Sequence, residues 1–168
     1  MGEMNTLMLS ARNFVSISAI KYKEEFFLPS ELSIMRNFEK ARAASLLSDR
    51  NDHKLGSVMT LGNKVLAVGY NITKTHPIQK KYNIERGYDP NVKNNGQIHA
   101  EMMCLINTKY LDVDWSKVSL YIYREHKDHT TALAKPCPAC EKAIKERGIK
   151  QVYFTTEGIP YKKISYKK

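Results

Sequence analysis

A histidine, a glutamate and two cysteines occur in this chain at spacings that suit metal chemistry. His99-Ala100-Glu101 is followed further along by Pro136-Cys137-Pro138-Ala139-Cys140. One imidazole and two thiolates give a tetrahedral zinc three protein ligands and leave its fourth position open, the arrangement of a catalytic rather than a structural zinc. Zinc lowers the pKa of a bound water from about 15.7 to about 7. A carboxylate beside the metal but not bound to it can then carry protons, and Glu101 is the residue for that task. A C-x-x-C pair by itself also reads as a redox dithiol or half of a structural zinc site. Yet no second C-x-x-C or paired His/Cys set completes a structural site, and a redox pair has no use for the upstream His-Ala-Glu.

The elements must solve a geometric problem. Positions i and i+2 of a regular helix point to nearly opposite sides, so His99 and Glu101 cannot share a face in mid-helix. They converge if the site lies off the start of a helix. Asn94-Asn95-Gly96 breaks structure just before, and Met102, Met103, Leu105 and Ile106 follow as an apolar helical run. Pro138 suits the first turn of a second helix, with Ala143 and Ile144 inside it and Gly148 as its stop. Two helix N-termini then aim at one metal, and their partial positive charge favours thiolate.

Ser30 is a fitting N-cap for an earlier helix over roughly 31–47, whose Ile34, Met35, Phe38, Ala41 and Leu46 suit a face packed on a sheet. A hairpin follows, with strands near 55–61 and 65–70 about a Gly62-Asn63 turn. The polar stretch 72–96 reads as a long loop, and such loops are often functional. It offers His76 and no cysteine, so a second zinc is not expected there. A third strand is expected over 118–123, a polar tip near 127–131 with His126 and His129 solvated, and a fourth strand over 151–155.

The stretch from Leu55 to Phe154 resembles the cytidine deaminase superfamily, especially its deoxycytidylate-deaminase-like branch. The matching residues are Val68-Gly69-Tyr70-Asn71, Gln97-Ile98-His99-Ala100-Glu101-Met102, Lys135 to Cys140, and Ala143-Ile144 through Gly148 to Phe154. H-x-E followed by P-C-x-x-C is the signature of zinc-dependent nucleobase deaminases. The resemblance implies an α/β fold of three α/β/α layers around a five-stranded mixed sheet, with zinc as cofactor. It implies metal ligands His99, Cys137 and Cys140, Glu101 as proton carrier, backbone groups of Ala100 facing the base, and Asn71 on the sugar. It also implies a homo-oligomer. Members acting on deoxycytidylate or polynucleotides usually end in a helix and a parallel fifth strand. A parallel crossover needs a dozen or more residues. The short segment after Phe154, with Gly158 and Pro160, predicts an antiparallel fifth strand near 162–166 instead.

Composition narrows the class. The chain has 168 residues, 42% of them hydrophobic, with net charge +10 and three cysteines. That suits one domain, read here as 30–168, preceded by an arm or leader over 1–29. The apolar run 14–20 is too short to span a membrane, which takes roughly 20 apolar residues. Free thiolates suit a reducing cytoplasm. Cys104 reads as a packed apolar residue, not a ligand. Lysines and arginines gather late in the chain, from Lys142 and Lys145 to Lys168. They favour an anionic partner, either a nucleotide or nucleic acid.

The sequence thus predicts a hydrolytic deaminase of a cytosine nucleotide or nucleoside, with a 5′-phosphorylated substrate favoured by the charge. Two alternatives stand beside it. One acts on cytosine or adenine in single-stranded DNA, RNA or tRNA, against which there is no interleaved aromatic-basic stretch for stacking bases. The other is a non-catalytic zinc-bearing binding protein, which would have no use for Glu101.

Overall fold

The computed structural model describes residues 29–167, so the arm read over 1–29 lies, apart from Pro29, outside the described residues. The elements run α1 (Glu31–Ser45), β1 (Leu55–Leu61), β2 (Lys64–Tyr70), α2 (Pro77–Glu85), α3 (Ala100–Asn107), β3 (Val118–Arg124), α4 (Pro138–Arg147), β4 (Gln151–Phe154) and β5 (Lys162–Ser165). The five strands form one sheet in the order β2-β1-β3-β4-β5. β3 and β4 are parallel and the other neighbours antiparallel. The parallel step is possible because α4 carries the crossover between them.

Side-chain alternation along the strands sorts the helices into layers. On one face Val58, Tyr121, Tyr123 and Tyr153 pack with Ile34, Phe38 and Ala41 of α1. On the other Met59, Leu120, Ile122, Val152 and Phe154 pack with Met102 and Leu105 of α3 and with Ala143 and Ile144 of α4. The expected three-layer fold with a mixed sheet is therefore present. Its last strand is antiparallel, as the short C-terminal segment predicts. Among the described residues no helix is long and apolar enough to cross a membrane.

The stretch 72–96 is not a plain loop. It contains α2, which starts on Pro77, with the His76 Nδ1 accepting from the Ile78 N–H at 3.1 Å. Proline suits the first helical turn because its missing N–H has no partner to lose there. The helix was hidden from hydrophobic periodicity because its buried residues are Gln79 and Asn83, both polar. The helix carrying the apolar run Met102 to Ile106 is short, spanning Ala100–Asn107. Its carbonyl end is held by Arg147, which donates to the Leu105 carbonyl at 3.1 Å and stacks on Trp115.

The approach of α3 to the sheet depends on one glycine. A Cβ on Gly69 of β2 would lie 2.2 Å from the Ala100 carbonyl oxygen. A side chain there would lift the start of α3, and with it His99 and Glu101, off the sheet.

Candidate metal centre and substrate pocket

His99 and Cys137 are each the residue just before a helix. His99 precedes α3 with φ −84° and ψ 156°, and Cys137 precedes α4 with φ −67° and ψ 161°. This resolves the i, i+2 problem. His99 leaves the chain while the backbone is still extended, and Glu101 leaves it from the first helical turn. Cap positions usually hold Ser, Thr, Asp or Asn, whose oxygen satisfies a free N–H. Here the Cys137 Sγ accepts the Cys140 N–H at 3.5 Å, while the His99 side chain caps nothing. Its ring turns to the sulfurs instead.

The His99 Nδ1 lies 3.5 Å from the Cys137 Sγ and 3.4 Å from the Cys140 Sγ. All three donor atoms fall within 4.8 Å of one another. Tetrahedral zinc, with bonds of about 2.0–2.1 Å to nitrogen and 2.3 Å to sulfur, spaces such donors roughly 3.6 Å apart. The donor set fits zinc in type and in spacing. Its electrostatics call for a cation as well. The Cys137 thiol is pulled down to about 4 by the neighbouring Cys140 thiol, then by His99 and the Cys140 N–H, against the opposing effect of burial. Cys140 is pushed well above its ordinary value by Cys137 and by burial. Two negative sulfurs this close repel, and a cation between them lets both ionise.

Glu101 stands beside this group at 2% exposure. Its Oε2 is buried without a hydrogen-bond partner. Burial pushes its carboxyl up to about 7, with the His99 imidazole opposing that rise. A buried carboxyl with a free oxygen and a pKa near neutrality is costly to keep and suited to taking and giving protons. Cys104 lies fully buried, its Sγ 3.1 Å from the Ser57 Oγ and outside the donor cluster of His99, Cys137 and Cys140.

A cavity of about 200 Å³ opens beside His99, Glu101 and Cys137. Ala100 and Asn71, which the resemblance assigns to the base and the sugar, are among its lining residues. The Ala100 carbonyl already accepts from the Ser57 Oγ at 2.8 Å. Its N–H is one of the orphan donors of the first turn of α3 and is the backbone group left for a ligand. The Asn71 amide is more heavily committed than the sequence suggests. Its Oδ1 accepts from the Leu55 N–H and the Ser48 hydroxyl, both at 2.8 Å, and its Nδ2 donates to the His53 carbonyl at 3.0 Å. One amide hydrogen remains for a ligand. Asn71→Ala should therefore lower stability by ~1–3 kcal/mol, read by urea denaturation, because it leaves the Leu55 N–H and the His53 carbonyl without their partner, while the Ser48 hydroxyl keeps the Asn71 backbone carbonyl at 2.7 Å. A sequence-only expectation is that this change costs turnover far more than stability.

Sequence reasoning missed Gln79. It is fully buried, its Oε1 accepts the His99 N–H at 3.2 Å, and its Nε2 donates to Asn83 at 2.9 Å and lies 4.0 Å from the Cys140 Sγ. It holds two of the three candidate donors, His99 and Cys140, from behind. Losing such an outer partner typically costs 10–100-fold in metal affinity. Gln79→Leu should show that loss in a chelator competition assay. The cavity's other unforeseen lining residues include Arg50, His53, Arg124 and Lys135. Arg50 and His53 come from the α1–β1 connection, Arg124 from the end of β3 and Lys135 from the segment before α4, so no single local spacing gathers them.

Comparison with known proteins gives a consistent result. Residues 31–156 match the family model for the cytidine and deoxycytidylate deaminase zinc-binding region. Among solved structures, the chain is similar to a cytidine deaminase from Burkholderia pseudomallei, at 18% identity and TM-score 0.55, covering 78% of this chain and 91% of that one. It is also similar to a dCMP deaminase from the cyanophage S-TIM5, at 23% identity and TM-score 0.53, covering 78% and 87%. At these identities the likeness is one of fold. No curated protein matches the sequence.

Proposed function

The chain belongs to the cytidine and deoxycytidylate deaminase zinc-binding family, and from that premise we propose that it hydrolyses the exocyclic amine of a cytosine nucleoside or nucleotide, yielding the uracil form and ammonia. The observation that carries this reading is the unpartnered Glu101 Oε2 beside the His99, Cys137 and Cys140 donors, at the floor of a cavity sized for a base. His99 Nδ1 and the two sulfurs would hold zinc, which supplies a water acidic enough to act as nucleophile at neutral pH.

The remaining steps belong to the protein. As water oxygen adds to the ring carbon bearing the amine, Glu101 takes the water's proton at Oε2 and passes it to the adjacent ring nitrogen. It then takes the second proton and delivers it to the amine, which leaves as ammonia while the carbonyl forms. A buried carboxyl with one unpartnered oxygen can serve in turn as base and as acid. The Ala100 N–H and the remaining Asn71 amide hydrogen orient the base and its sugar at the wall. Leu55, Leu133 and Ala134 line the same cavity and reduce access of bulk water.

An ammonia-release screen tests this. Cytidine, deoxycytidine and their monophosphates should release ammonia, with adenosine inert. Release from adenosine alone, or from none of these, would sink the reading. A single-stranded oligonucleotide converted much faster than any of them would move the activity to a polymer.

A further inference from the structure

The cavity carries positive charge that the chemistry at the base does not use. Glu101 is the one carboxylate among its lining residues. Arg50 is already matched: Nε and one terminal nitrogen donate to Asp52 at 3.0 and 2.7 Å, and the other terminal nitrogen donates to the Gln97 Oε1 at 2.6 Å. Arg124 and Lys135 are not matched. Neither forms an ion pair with any of the described residues.

Arg124 is held in place by its backbone. Its N–H donates to the Thr155 Oγ1 at 3.0 Å, and its carbonyl accepts from the Ala132 N–H at 3.0 Å. Its side chain is not so tied. One terminal nitrogen reaches the Leu133 carbonyl at 3.4 Å, and Nε is buried with no partner. A guanidinium offers five N–H donors in a fixed fork that matches phosphate oxygens. Lys135 is exposed and lies two residues before the metal-ligating Cys137. The chain between the two cations doubles back through the Glu125 to Thr131 bridge, which puts both on the same cavity.

We propose that Arg124 and Lys135 form an anion subsite that takes the 5′-phosphate of a mononucleotide. The proposal rests on the deaminase reading for what occupies the floor of the cavity, and on these two residues for the phosphate. The volume agrees. About 200 Å³ is less than the roughly 300–1,000 Å³ of pockets that enclose whole drug-sized ligands. A base with part of its sugar fills it, and a 5′-substituent is left at the rim. A polynucleotide would instead need a row of free cations tracking its backbone, and Arg50, the next cation on this cavity, is already occupied.

Two measurements on the full zinc-loaded chain test this. The first is the ratio of kcat/KM for dCMP to that for deoxycytidine. The second is calorimetric binding of inorganic phosphate, which does not depend on any deaminase activity. The parent should prefer dCMP, and it should bind phosphate. Arg124→Met should reduce kcat/KM for dCMP roughly 10- to 100-fold, mostly through KM, the size expected for losing a charge-assisted contact. The loss for deoxycytidine should be much smaller, and phosphate binding should disappear. Arg124→Lys should restore part of the preference, since it keeps the charge without the fork. Lys135→Met, at an exposed position that cannot upset folding, should weaken dCMP more than deoxycytidine. Equal turnover of dCMP and deoxycytidine with no phosphate binding overturns the subsite and leaves the deaminase reading intact. Phosphate binding that Arg124→Met removes, with no turnover of any cytosine compound, keeps the anion site and overturns the deaminase reading. An oligonucleotide that outcompetes dCMP, with affinity falling steeply with salt, overturns the mononucleotide assignment.

Discussion

Glu101→Gln should retain its zinc and its fold and lose nearly all turnover. A single positioned acid–base group commonly supplies ~10²–10⁴-fold, and Glu101 serves more than one proton transfer, so the loss should reach or exceed the upper end of that range. Stability should not fall with it. The carboxyl is 2% exposed and one of its oxygens has no partner. Glutamine keeps its shape and removes a buried charge whose desolvation is unfavourable. Steady-state kinetics, elemental analysis and thermal melting on one preparation decide the matter. Activity within a few-fold of the parent would rule out the proton-carrier role, and loss of zinc would turn Glu101 into a ligand.

Metal binding should depend on Cys140 and be indifferent to Cys104. One zinc per chain is expected by elemental analysis. Cys140→Ala should lose more than the 10–100-fold in affinity that an outer partner such as Gln79 is worth, and should purify with far less than one equivalent. Cys104 is fully buried beside Ser57 and outside the donor cluster, so Cys104→Ala should keep its zinc. Because the metal binds the folded chain, zinc at a thousand times its Kd should stabilise the parent by ~4 kcal/mol over the stripped protein, and the Cys140 variant by much less. A metal-free parent that is folded and active would refute the zinc assignment altogether.

The parts legible in the sequence were those whose physics is local. His-Ala-Glu before an apolar helical run and Cys-Pro-Ala-Cys before a second helix specify donor type, order and helix start within a few residues each. The strands expected over 55–61 and 118–123 showed through β-branched and aromatic residues and are found over Leu55–Leu61 and Val118–Arg124, and Ser30 marked the start of α1. The antiparallel last strand expected from Glu157-Gly158 and Pro160 so soon after Phe154 is also present, because these turn residues favour a direct return over a helical crossover.

Where the signal is long-range or runs against the usual code, the tertiary structure decided. α2 buries the polar Gln79 and Asn83 and only partly buries Ile78 and Tyr82, so its hydrophobic stripe is weak, and Gln79 accepts from the His99 backbone N–H twenty positions away in sequence. The family resemblance implies Asn71 as a sugar contact, and three of its amide's hydrogen bonds also hold the chain near Ser48, His53 and Leu55. The free cations Arg124 and Lys135 look no different in sequence from the paired Arg50. Whether a charge has a partner depends on which chains the fold brings within about 4 Å, and no local pattern records that. The sequence by itself singled out the candidate donors His99, Cys137 and Cys140 and the carboxylate Glu101, which the fold brings together. The tertiary structure decided what supports them from behind and which charges are left at the mouth of the pocket, because those depend on packing between segments that are distant in the chain.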